Sequence, residues 1–326
     1  MKKIDWEIKS IEYPLCVEWS ISRSSDSLKK NYYVLMNGVI YGEFAPNLRF
    51  GETHQSIEYQ IKVFRSLSTS LSDEKRILDF CAGEIMNGRF AQSFLAGIEL
   101  ACFNFFDLWD KFISAPLPKQ CSSSMSIPII SFEGFLDYFK LMKLNEFDVI
   151  KVKSGEKLPL QIIEYLVNHT GAGISVDYNE ALSDFATAIE HIKILNKYNR
   201  IKYIEQPFAS SQDELYRELK KWSPLPVYID ETITGQMPSK ETVQLCHGIN
   251  FKVMKSGGPF RAVEQIKVAR KLGLGCMLGC MVESSRSISN YVMMSDLVDY
   301  CDLDGSLFLA EDPFKMITVN NGIIHL

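Results

Sequence analysis

Residues 149–153 read Val-Ile-Lys-Val-Lys, and the pattern of a short apolar run that ends in a charged residue then recurs four times. The later runs are Ile174-Ser175-Val176-Asp177, Tyr203-Ile204-Glu205, Val227-Tyr228-Ile229-Asp230 and Ile249-Asn250-Phe251-Lys252. Their charged ends are 22 to 28 residues apart, which is about the length of a strand, a helix and two short loops. The repeat predicts parallel strands whose charged ends meet on one face.

Working outward from these runs, the same alternation of strands and helices continues to both sides. We place strands near residues 127–131, 148–153, 173–177, 201–205, 226–230, 249–254, 274–278 and 299–303. Eight parallel strands favour a closed barrel over an open doubly wound sheet. In a barrel of this kind, the chemistry takes place at the carboxyl ends of the strands.

The first third of the chain has a different pattern. Residues 1–45 alternate apolar and polar positions around Asn37-Gly38, which predicts an antiparallel meander with a hairpin turn. Residues 56–109 have helical patterning, and Ser114–Ser126 has the composition of a linker. Residues 317–324 at the other end predict a last hairpin that returns to the meander.

Composition excludes several classes of function. The formal net charge of -5 and the absence of a basic stripe argue against nucleic-acid binding. No apolar run approaches the roughly 20 residues of a membrane span, and acidic residues interrupt the basic N-terminal opening, so we predict a first strand there rather than a secretion signal. Eight scattered cysteines and five histidines suggest no zinc site and indicate reduced thiols in a cytoplasmic protein.

Three of the charged strand ends are carboxylates, namely Asp177, Glu205 and Asp230 on three consecutive predicted strands. Hard divalent cations prefer oxygen ligands, so this set suits magnesium better than zinc. We expect one Mg²⁺ per subunit. The alternative is that each acidic residue only caps the following helix, but three in register between two lysines favour the metal.

Lys153 and Lys252 come from strands on either side of the three acidic strands. Magnesium and a second lysine such as Lys151 would lower the pKa of a catalytic lysine from its usual value of about 10.4. A base on each face of a substrate α-carbon lets a proton leave on one side and return on the other, which is epimerisation or racemisation. For Lys255 we expect a solvated surface position or a supporting role.

These residues resemble the enolase superfamily, specifically its muconate-lactonizing branch and, within it, the dipeptide epimerases. The similar motifs are KxK at Lys151–Lys153, Asp-x-Asn at Asp177–Asn179, KxxKxGG at Lys252–Gly258, and a capping-domain signature at Gly42–Pro46 and Arg49–Thr53. The resemblance implies that Lys153 and Lys252 are the opposing bases and that the three carboxylates hold magnesium. It also implies that Lys151 and Asn179 lie among the substrate-binding residues.

The resemblance extends to substrate recognition. Asp302-Leu303-Asp304 resembles the DxD motif with which dipeptide epimerases bind the free ammonium of the substrate, although Asp304-Gly305 could be only a turn. Arg23 falls where the family places a loop over the site, and an arginine there could clamp an acidic side chain or be merely solvated. Met281 and Glu283 follow the seventh strand, where relatives line the substrate pocket.

The chain also departs from the family pattern. Tyr178, Glu180 and Ala181 stand where a glutamine and an aromatic residue usually follow the first ligand, and Thr232 replaces the commoner serine. The chain ends at Leu326, without the tail that relatives usually carry. A trimmed cap would affect substrate enclosure rather than proton transfer.

The resemblance implies a fold of the α/β class, a modified TIM barrel of the (β/α)7β type with an α+β capping domain. The expected division is a cap at 1–115, a barrel at 116–310 and a return to the cap at 311–326. The predicted function is a magnesium-dependent dipeptide epimerase, with L-Ala-D/L-Glu from bacterial cell-wall peptide as the favoured substrate and a homo-oligomer possible. The alternatives are o-succinylbenzoate synthesis or N-acylamino acid racemisation on the same site, and a non-catalytic barrel that binds a small molecule.

Overall fold

The computed structural model of the protein describes residues 3–22, 24–113 and 116–326. In these ranges the strands form three sheets: a three-stranded N-terminal sheet, an eight-stranded parallel sheet and a short three-stranded sheet. One continuous apolar core extends from Ile4 in the N-terminal part to Ile324 near the end of the chain. The N-terminal part and the barrel therefore share buried surface.

The N-terminal sheet is the predicted antiparallel meander. Its strands, in spatial and chain order, are β1 (Trp6–Ser20), β2 (Ser25–Met36) and β3 (Val39–Phe44). Asn37 and Gly38 join β2 to β3 with φ angles of 53° and 80°, and the positive values are those of a tight hairpin turn. Four helices follow: α1 (His54–Leu67), α2 (Glu74–Asn87), α3 (Gln92–Phe105) and α4 (Trp109–Phe112).

Helix α3 is the central helix of the N-terminal part. Its residues from Ser93 to Phe103 are all buried, so it is apolar on every side rather than amphipathic. It packs against β3 at very short range, since a Cβ on Gly42 would lie 2.3 Å from the carbonyl oxygen of Gly97. Glycine at both contact positions lets the helix and the sheet approach this closely.

The eight-stranded sheet is the predicted barrel. After a short strand β4 (Gln120–Ser122), its strands are β5 (Met125–Ile127), β6 (Val149–Lys153), β7 (Gly173–Asp177), β8 (Ile201–Glu205), β9 (Val227–Ile229), β10 (Gly248–Lys252), β11 (Gly275–Gly279) and β12 (Tyr300–Asp302). Each strand pairs in parallel with the next. The backbone N–H of Ser124 donates to the carbonyl oxygen of Cys301 at 2.9 Å and so links the two ends of the sheet.

Helices connect the successive barrel strands. They are α5 (Phe132–Leu141), α6 (Leu160–His169), α7 (Phe185–Leu195), α8 (Asp213–Trp222), α9 (Lys240–Leu245), α10 (Val253–Ser256), α11 (Pro259–Lys271) and α12 (Ser285–Val292). The connection from β10 to β11 contains both α10 and α11, and the other six connections contain one helix each. The barrel with helical connections confirms the predicted fold class. Among the described residues, no helix combines the length and the apolar character that crossing a membrane requires.

The structure corrects two details of the sequence interpretation. The first barrel strand is Met125–Ile127 rather than 127–131, and Ser123, Ser124 and Ser126 of the predicted linker are buried. The C-terminal hairpin of β13 (Thr318–Asn320) and β14 (Ile323–His325) pairs with β4, not with the meander. The chain just before it does reach the meander, because Leu309 and Phe314 pack against Tyr13 and Tyr33. The domain boundaries stay a prediction.

Candidate active site

The carboxyl ends of the barrel strands bring the charged residues to one rim. Lys153, Asp177, Glu205 and Lys252 end strands β6, β7, β8 and β10, and Asp230 directly follows β9. Strands β6 and β10 are four positions apart in an eight-stranded barrel, so the two lysines lie on opposite sides of it. The three carboxylates occupy the strands between the lysines, as the sequence predicted.

Each rim carboxylate is paired with lysine. Lys153 Nζ lies 2.6 Å from Asp177 Oδ2, and Lys252 Nζ lies 2.8 Å from Asp230 Oδ2. Lys151 is fully buried, and its Nζ lies 2.8 Å from Glu205 Oε2 and 3.1 Å from Asp177 Oδ2. The rim is thus a network of buried ion pairs, which offset the cost of removing these charges from water.

Lys255 belongs to the same network. It is 3% exposed, and its Nζ contacts Asp230 Oδ1 and donates to the carbonyl oxygen of Asn250 at 3.0 Å. Burial lowers the pKa of Lys255 against the attraction of Asp230. The surface interpretation of this lysine is therefore wrong, and the supporting one stands.

Burial and the lysines act in opposite directions on the rim carboxylates. Burial alone would raise the pKa of Asp177, but Lys153 and Lys151 outweigh it and hold that pKa well below its usual range. The same balance, with Lys252 and Lys255 as the cations, lowers the pKa of Asp230. Burial and the charge of Asp177 raise the pKa of Glu205 to about 7. Two of the three carboxylates are therefore firmly anionic at neutral pH.

The rim has the donor chemistry of a magnesium site. Three carboxylates come from neighbouring strands, and Asn250 orients one of them by donating from Nδ2 to Glu205 Oε1 at 2.8 Å. Within the described ranges, no three acidic, histidine or cysteine side chains are grouped so that they could hold a metal ion directly. In the described residues each of the three carboxylates has a lysine as its direct partner. The residue types and their strand positions fit magnesium, and a bound ion would replace lysine as the partner of these carboxylates.

Asp302 and Asp304 lie at and just beyond the end of β12, and they are fixed by Ser124, just before β5, and by Ser126, within β5. Ser124 Oγ donates to Asp302 Oδ1 at 2.6 Å, and the backbone N–H of Ser126 donates to Asp304 Oδ2 at 2.7 Å. Lys151 Nζ also lies 2.7 Å from Asp302 Oδ2 and thereby connects this pair to the rim. Burial and the charge of Asp302 raise the pKa of Asp304 to about 7. The two aspartates are built into the rim rather than forming a turn alone.

A cavity of about 480 Å³ lies between the rim and the N-terminal sheet. Residues on the rim side that line it are Ser126, Lys153, Asn179, Asp230, Glu231, Lys252, Lys255, Asp302 and Asp304. The N-terminal side contributes residues of β1, of β2 and of the segment 46–54. Arg49 crosses between the two sides, since its guanidinium donates to both carboxylate oxygens of Glu180 at 2.6 Å. The N-terminal part is thereby attached to the loop that follows β7.

The other predicted substrate-binding residues have different positions. Met281 lines the cavity, whereas Lys151 and Glu283 are fully buried and are not among its lining residues. Glu283 accepts hydrogen bonds from the backbone N–H of Met281 at 2.9 Å and from the hydroxyl of Tyr291 at 2.6 Å. Glu283 therefore does not line the cavity itself but holds the backbone of Met281, which does. Arg23 lies outside the described residues.

Sequence reasoning missed three residues of the site: Ser124, Ser126 and Asn250. The serines fall in a Ser-rich stretch that has the composition of a linker, so nothing local marked them. Asn250 is in a strand, two residues before Lys252, and alternation along the strand would have placed it on the same side as the lysine. The alternation along this strand could therefore have identified Asn250 from the sequence.

Two curated relatives match part of the chain. The L-Ala-D/L-amino acid epimerase of Pedosphaera parvula is 34% identical over 189 residues, which are 57% of this chain and 54% of the relative. The L-Ala-D/L-Glu epimerase of Bacteroides thetaiotaomicron is 36% identical over 180 residues, which are 55% of this chain and 47% of the relative. The chain spans about half the length of these relatives.

A solved structure is similar over the whole chain, and a family match covers more than half of it. The dipeptide epimerase from Methylococcus capsulatus, complexed with Mg and the dipeptide L-Arg-D-Lys, has a TM-score of 0.83 at 22% identity over 100% of this chain and 97% of that one. This likeness shows the fold. Residues 138–325 match the family model described as Enolase C-terminal domain-like. The chain therefore belongs to the Enolase C-terminal domain-like family.

Proposed function

We propose that the protein is a magnesium-dependent dipeptide epimerase that inverts the α-carbon of the C-terminal residue. One observation carries this proposal: Lys153 and Lys252 lie on opposite sides of the barrel, with three buried carboxylates on the strands between them. A non-catalytic binding site would not need two lysines in this arrangement. The names of the relatives support the same class of reaction.

Different residues of the chain bind the substrate and transfer the proton. Asp302 and Asp304 hold the substrate ammonium by charge-assisted hydrogen bonds and so fix the N-terminal end of the dipeptide. One rim lysine removes the α-proton on its face of the carbon, and the other lysine returns a proton on the opposite face. The product is the opposite epimer, and the reverse reaction uses the same two groups in exchanged roles.

The magnesium ion would be held by Asp177, Glu205 and Asp230. When bound, it supplies positive charge that stabilises the negative charge developing on the substrate carboxylate as the α-proton leaves. Asn250 keeps Glu205 directed towards the site through its hydrogen bond to Oε1. Lys255 performs the corresponding task for Asp230.

The substrate that we favour is L-Ala-D/L-Glu. The support is the name of the Bacteroides thetaiotaomicron relative.

The proposal is tested by following α-deuterium incorporation by mass spectrometry in deuterated water with Mg²⁺. A library of L,L-dipeptides that includes Ala-Glu is incubated with the wild-type protein. The Lys267→Ala variant is assayed in parallel to show that loss of an exposed helical lysine far from the rim has no effect. We expect deuterium in some dipeptides and the same pattern with the control. Absence of deuterium from every dipeptide would refute the proposal.

Acylated amino acids distinguish the rival reaction on the same site. They lack the free ammonium that Asp302 and Asp304 would bind, so Asp302→Asn should reduce exchange in dipeptides by about 10-fold or more, as expected for loss of a charged hydrogen bond. Exchange that occurs only in N-acylamino acids, and is insensitive to Asp302→Asn, would favour the racemase instead.

A further inference from the structure

Some of the basic side chains that line the cavity form ion pairs with acidic side chains, and others do not. Three of its lining lysines, Lys153, Lys252 and Lys255, are paired with rim aspartates, and the lining Arg49 is paired with Glu180. Two further lining lysines, Lys29 and Lys30 of β2, have no carboxylate oxygen within 4.0 Å among the residues that the structure describes. These two lysines therefore make no direct ion pair with a described residue, although the charges of Asp26, Glu283 and Glu52 act on Lys29 from a longer distance.

Lys29 and Lys30 lie on opposite faces of β2, because side chains alternate along a strand. Lys30 lies on the same face of β2 as Tyr32, and its Nζ lies 5.8 Å from the centre of the Tyr32 ring. Lys29 is on the face of Asn31, whose Nδ2 donates to the carbonyl oxygen of Val282 at 3.0 Å on the barrel side. Lys29 therefore lies on the barrel-facing side of β2 and Lys30 on the side that carries Tyr32, and both contribute to the cavity lining.

The ammonium of Lys29 is only partly satisfied. It donates to the carbonyl oxygen of Pro46 at 3.0 Å, which is a neutral acceptor. Burial lowers its pKa, although the charges of Asp26, Glu283 and Glu52 act in the opposite direction. Lys29 is half-buried, and a partly desolvated ammonium without a direct ion-pair partner favours an anion that is delivered into the cavity.

Of the three acidic groups whose charges act on Lys29, Asp26 is exposed, and the buried Glu52 and Glu283 already accept hydrogen bonds. Glu52 accepts hydrogen bonds from the backbone N–H groups of Asn47 at 3.0 Å and Ser93 at 3.1 Å, one on each oxygen. Glu283 is similarly bound, one oxygen to the backbone N–H of Met281 and the other to Tyr291. Among the described residues this ammonium lacks a carboxylate in direct contact, and a ligand can bring one.

We infer that Lys29 binds a second carboxylate of the substrate, which for a dipeptide is the acidic side chain of the residue being inverted. The inference rests on the proposed function and assigns a residue to its side-chain preference. The α-carboxylate belongs at the rim with the metal ligands, and the ammonium belongs at Asp302 and Asp304. Lys29 lies on the N-terminal sheet, on the opposite side of the cavity from the rim. It is therefore placed to bind the substrate side chain, which extends away from the α-carboxylate and the ammonium.

The same chemistry could come from another source, namely the terminal carboxylate of an N-succinylated amino acid. That compound also carries a second carboxylate, but it lacks the free ammonium that Asp302 and Asp304 would hold. We commit to the acidic side chain of a dipeptide for this reason. Ala-Glu, its neutral isostere Ala-Gln and N-succinylalanine separate the two sources.

The experiment measures kcat/KM for deuterium exchange with these three compounds for the wild-type protein, Lys29→Met and Lys29→Arg. Lys9→Met serves as a control, since Lys9 is an exposed lysine of β1 that pairs with Glu7. For Lys29→Met we expect a loss of about 10- to 100-fold on Ala-Glu, mainly through KM, and a change of less than about 3-fold on Ala-Gln. Lys29→Arg should recover part of the Ala-Glu activity because it keeps the charge.

Each other outcome overturns the assignment. An equal loss on Ala-Glu and Ala-Gln would show that Lys29 acts on structure and not on the side chain. A selective loss on N-succinylalanine would give the subsite to an acyl group, and a loss in Lys30→Met without one in Lys29→Met would give it to the other lysine. Exchange in Ala-Gln but not in Ala-Glu would contradict the inference alone, whereas absence of exchange from every dipeptide would remove the proposed function as well.

Discussion

Lys151 shows how a single residue can connect two parts of the site. Its fully buried ammonium lies within 3.1 Å of carboxylates from three strands, those of Asp177, Glu205 and Asp302. Burial alone would lower its pKa, but Asp302, Glu205 and Asp177 outweigh burial and raise the pKa well above the usual range. Lys151 is therefore a permanent cation that holds the predicted metal ligands and the predicted ammonium anchor in one network.

We expect Mg²⁺ to raise the unfolding temperature of the wild-type protein, because a ligand that binds only the folded state stabilises that state by mass action. At about 100 times the dissociation constant, the gain in unfolding free energy is about 2.7 kcal/mol. Thermal denaturation with and without Mg²⁺ measures it. Asp230→Asn should remove the response, and Asp79→Asn, at an exposed position of α2, should keep it. A response that survives in Asp230→Asn would mean that the ion binds elsewhere.

At the scale of elements, helix α11 begins at a contact with the N-terminal part of the molecule. Its N-cap is Gly258, which has no side chain to satisfy the first backbone N–H groups. Glu99 of α3 replaces such a cap, because its Oε2 accepts a hydrogen bond from the backbone N–H of Phe260 at 2.9 Å. The φ angle of 142° at Gly258 lets the two helices meet in this way.

Gly258→Ala should therefore destabilise the protein. A Cβ at this position would lie 2.0 Å from Glu99 Oε2, and the φ angle is one that residues with side chains rarely adopt. We expect a loss of about 1–3 kcal/mol from the steric conflict, measured by urea denaturation. The matched control is Gly83→Ala in α2, where nothing lies within 4 Å of the new methyl group and a gain of about 0.5–1 kcal/mol is expected. Equal stability of the two variants would contradict the close approach.

Glu99 also gives the stability of the protein a defined dependence on pH. Burial raises its pKa to about 8, against the hydrogen bond from Phe260, whereas an unfolded glutamate titrates at about 4.3. Between these values the folded state keeps a proton that the unfolded state has released. The unfolding free energy attributable to Glu99 therefore falls as pH rises through this window, by up to about 1.4 kcal/mol per pH unit, and is constant above it.

The Glu99→Gln variant removes this titration and keeps an acceptor for the N–H of Phe260. Denaturant unfolding of both proteins at several values between pH 5 and pH 8 should show a shallower decline for the variant. Parallel curves for the two proteins would mean that Glu99 is ionised in the folded state. The comparison is between two proteins that differ at one residue, so titration of other buried acids affects both alike.

At the scale of the whole molecule, the barrel and its rim follow from local spacing, whereas contacts made by barrel closure do not. Strand ends at intervals of 22 to 28 residues placed Lys153, Asp177 and Lys252 on one rim, because parallel strands begin and end together. The hydrogen bond of Ser124 to Asp302 joins the first and last strands of the sheet, 178 residues apart in the chain. No local pattern encodes such a partner, and the pairing of the last hairpin with β4 was missed for the same reason.

The opposite placement of Lys153 and Lys252 is also a property of the whole barrel, and the proposed reaction depends on it. Loss of one lysine leaves the other able to remove and return a hydrogen on its own face of the α-carbon. Each single variant should therefore exchange the α-hydrogen of one epimer only, without inverting it. The two variants should prefer opposite epimers.

The most direct measurement is α-deuterium incorporation into L-Ala-L-Glu and L-Ala-D-Glu, assayed separately with Lys153→Ala and Lys252→Ala in deuterated water with Mg²⁺. Chiral chromatography with mass spectrometry reports exchange and inversion together. We expect exchange in one epimer with the first variant, exchange in the other epimer with the second, and inversion with neither. Exchange of the same epimer by both variants, or inversion by either one, would contradict the assignment of two lysines on opposite faces.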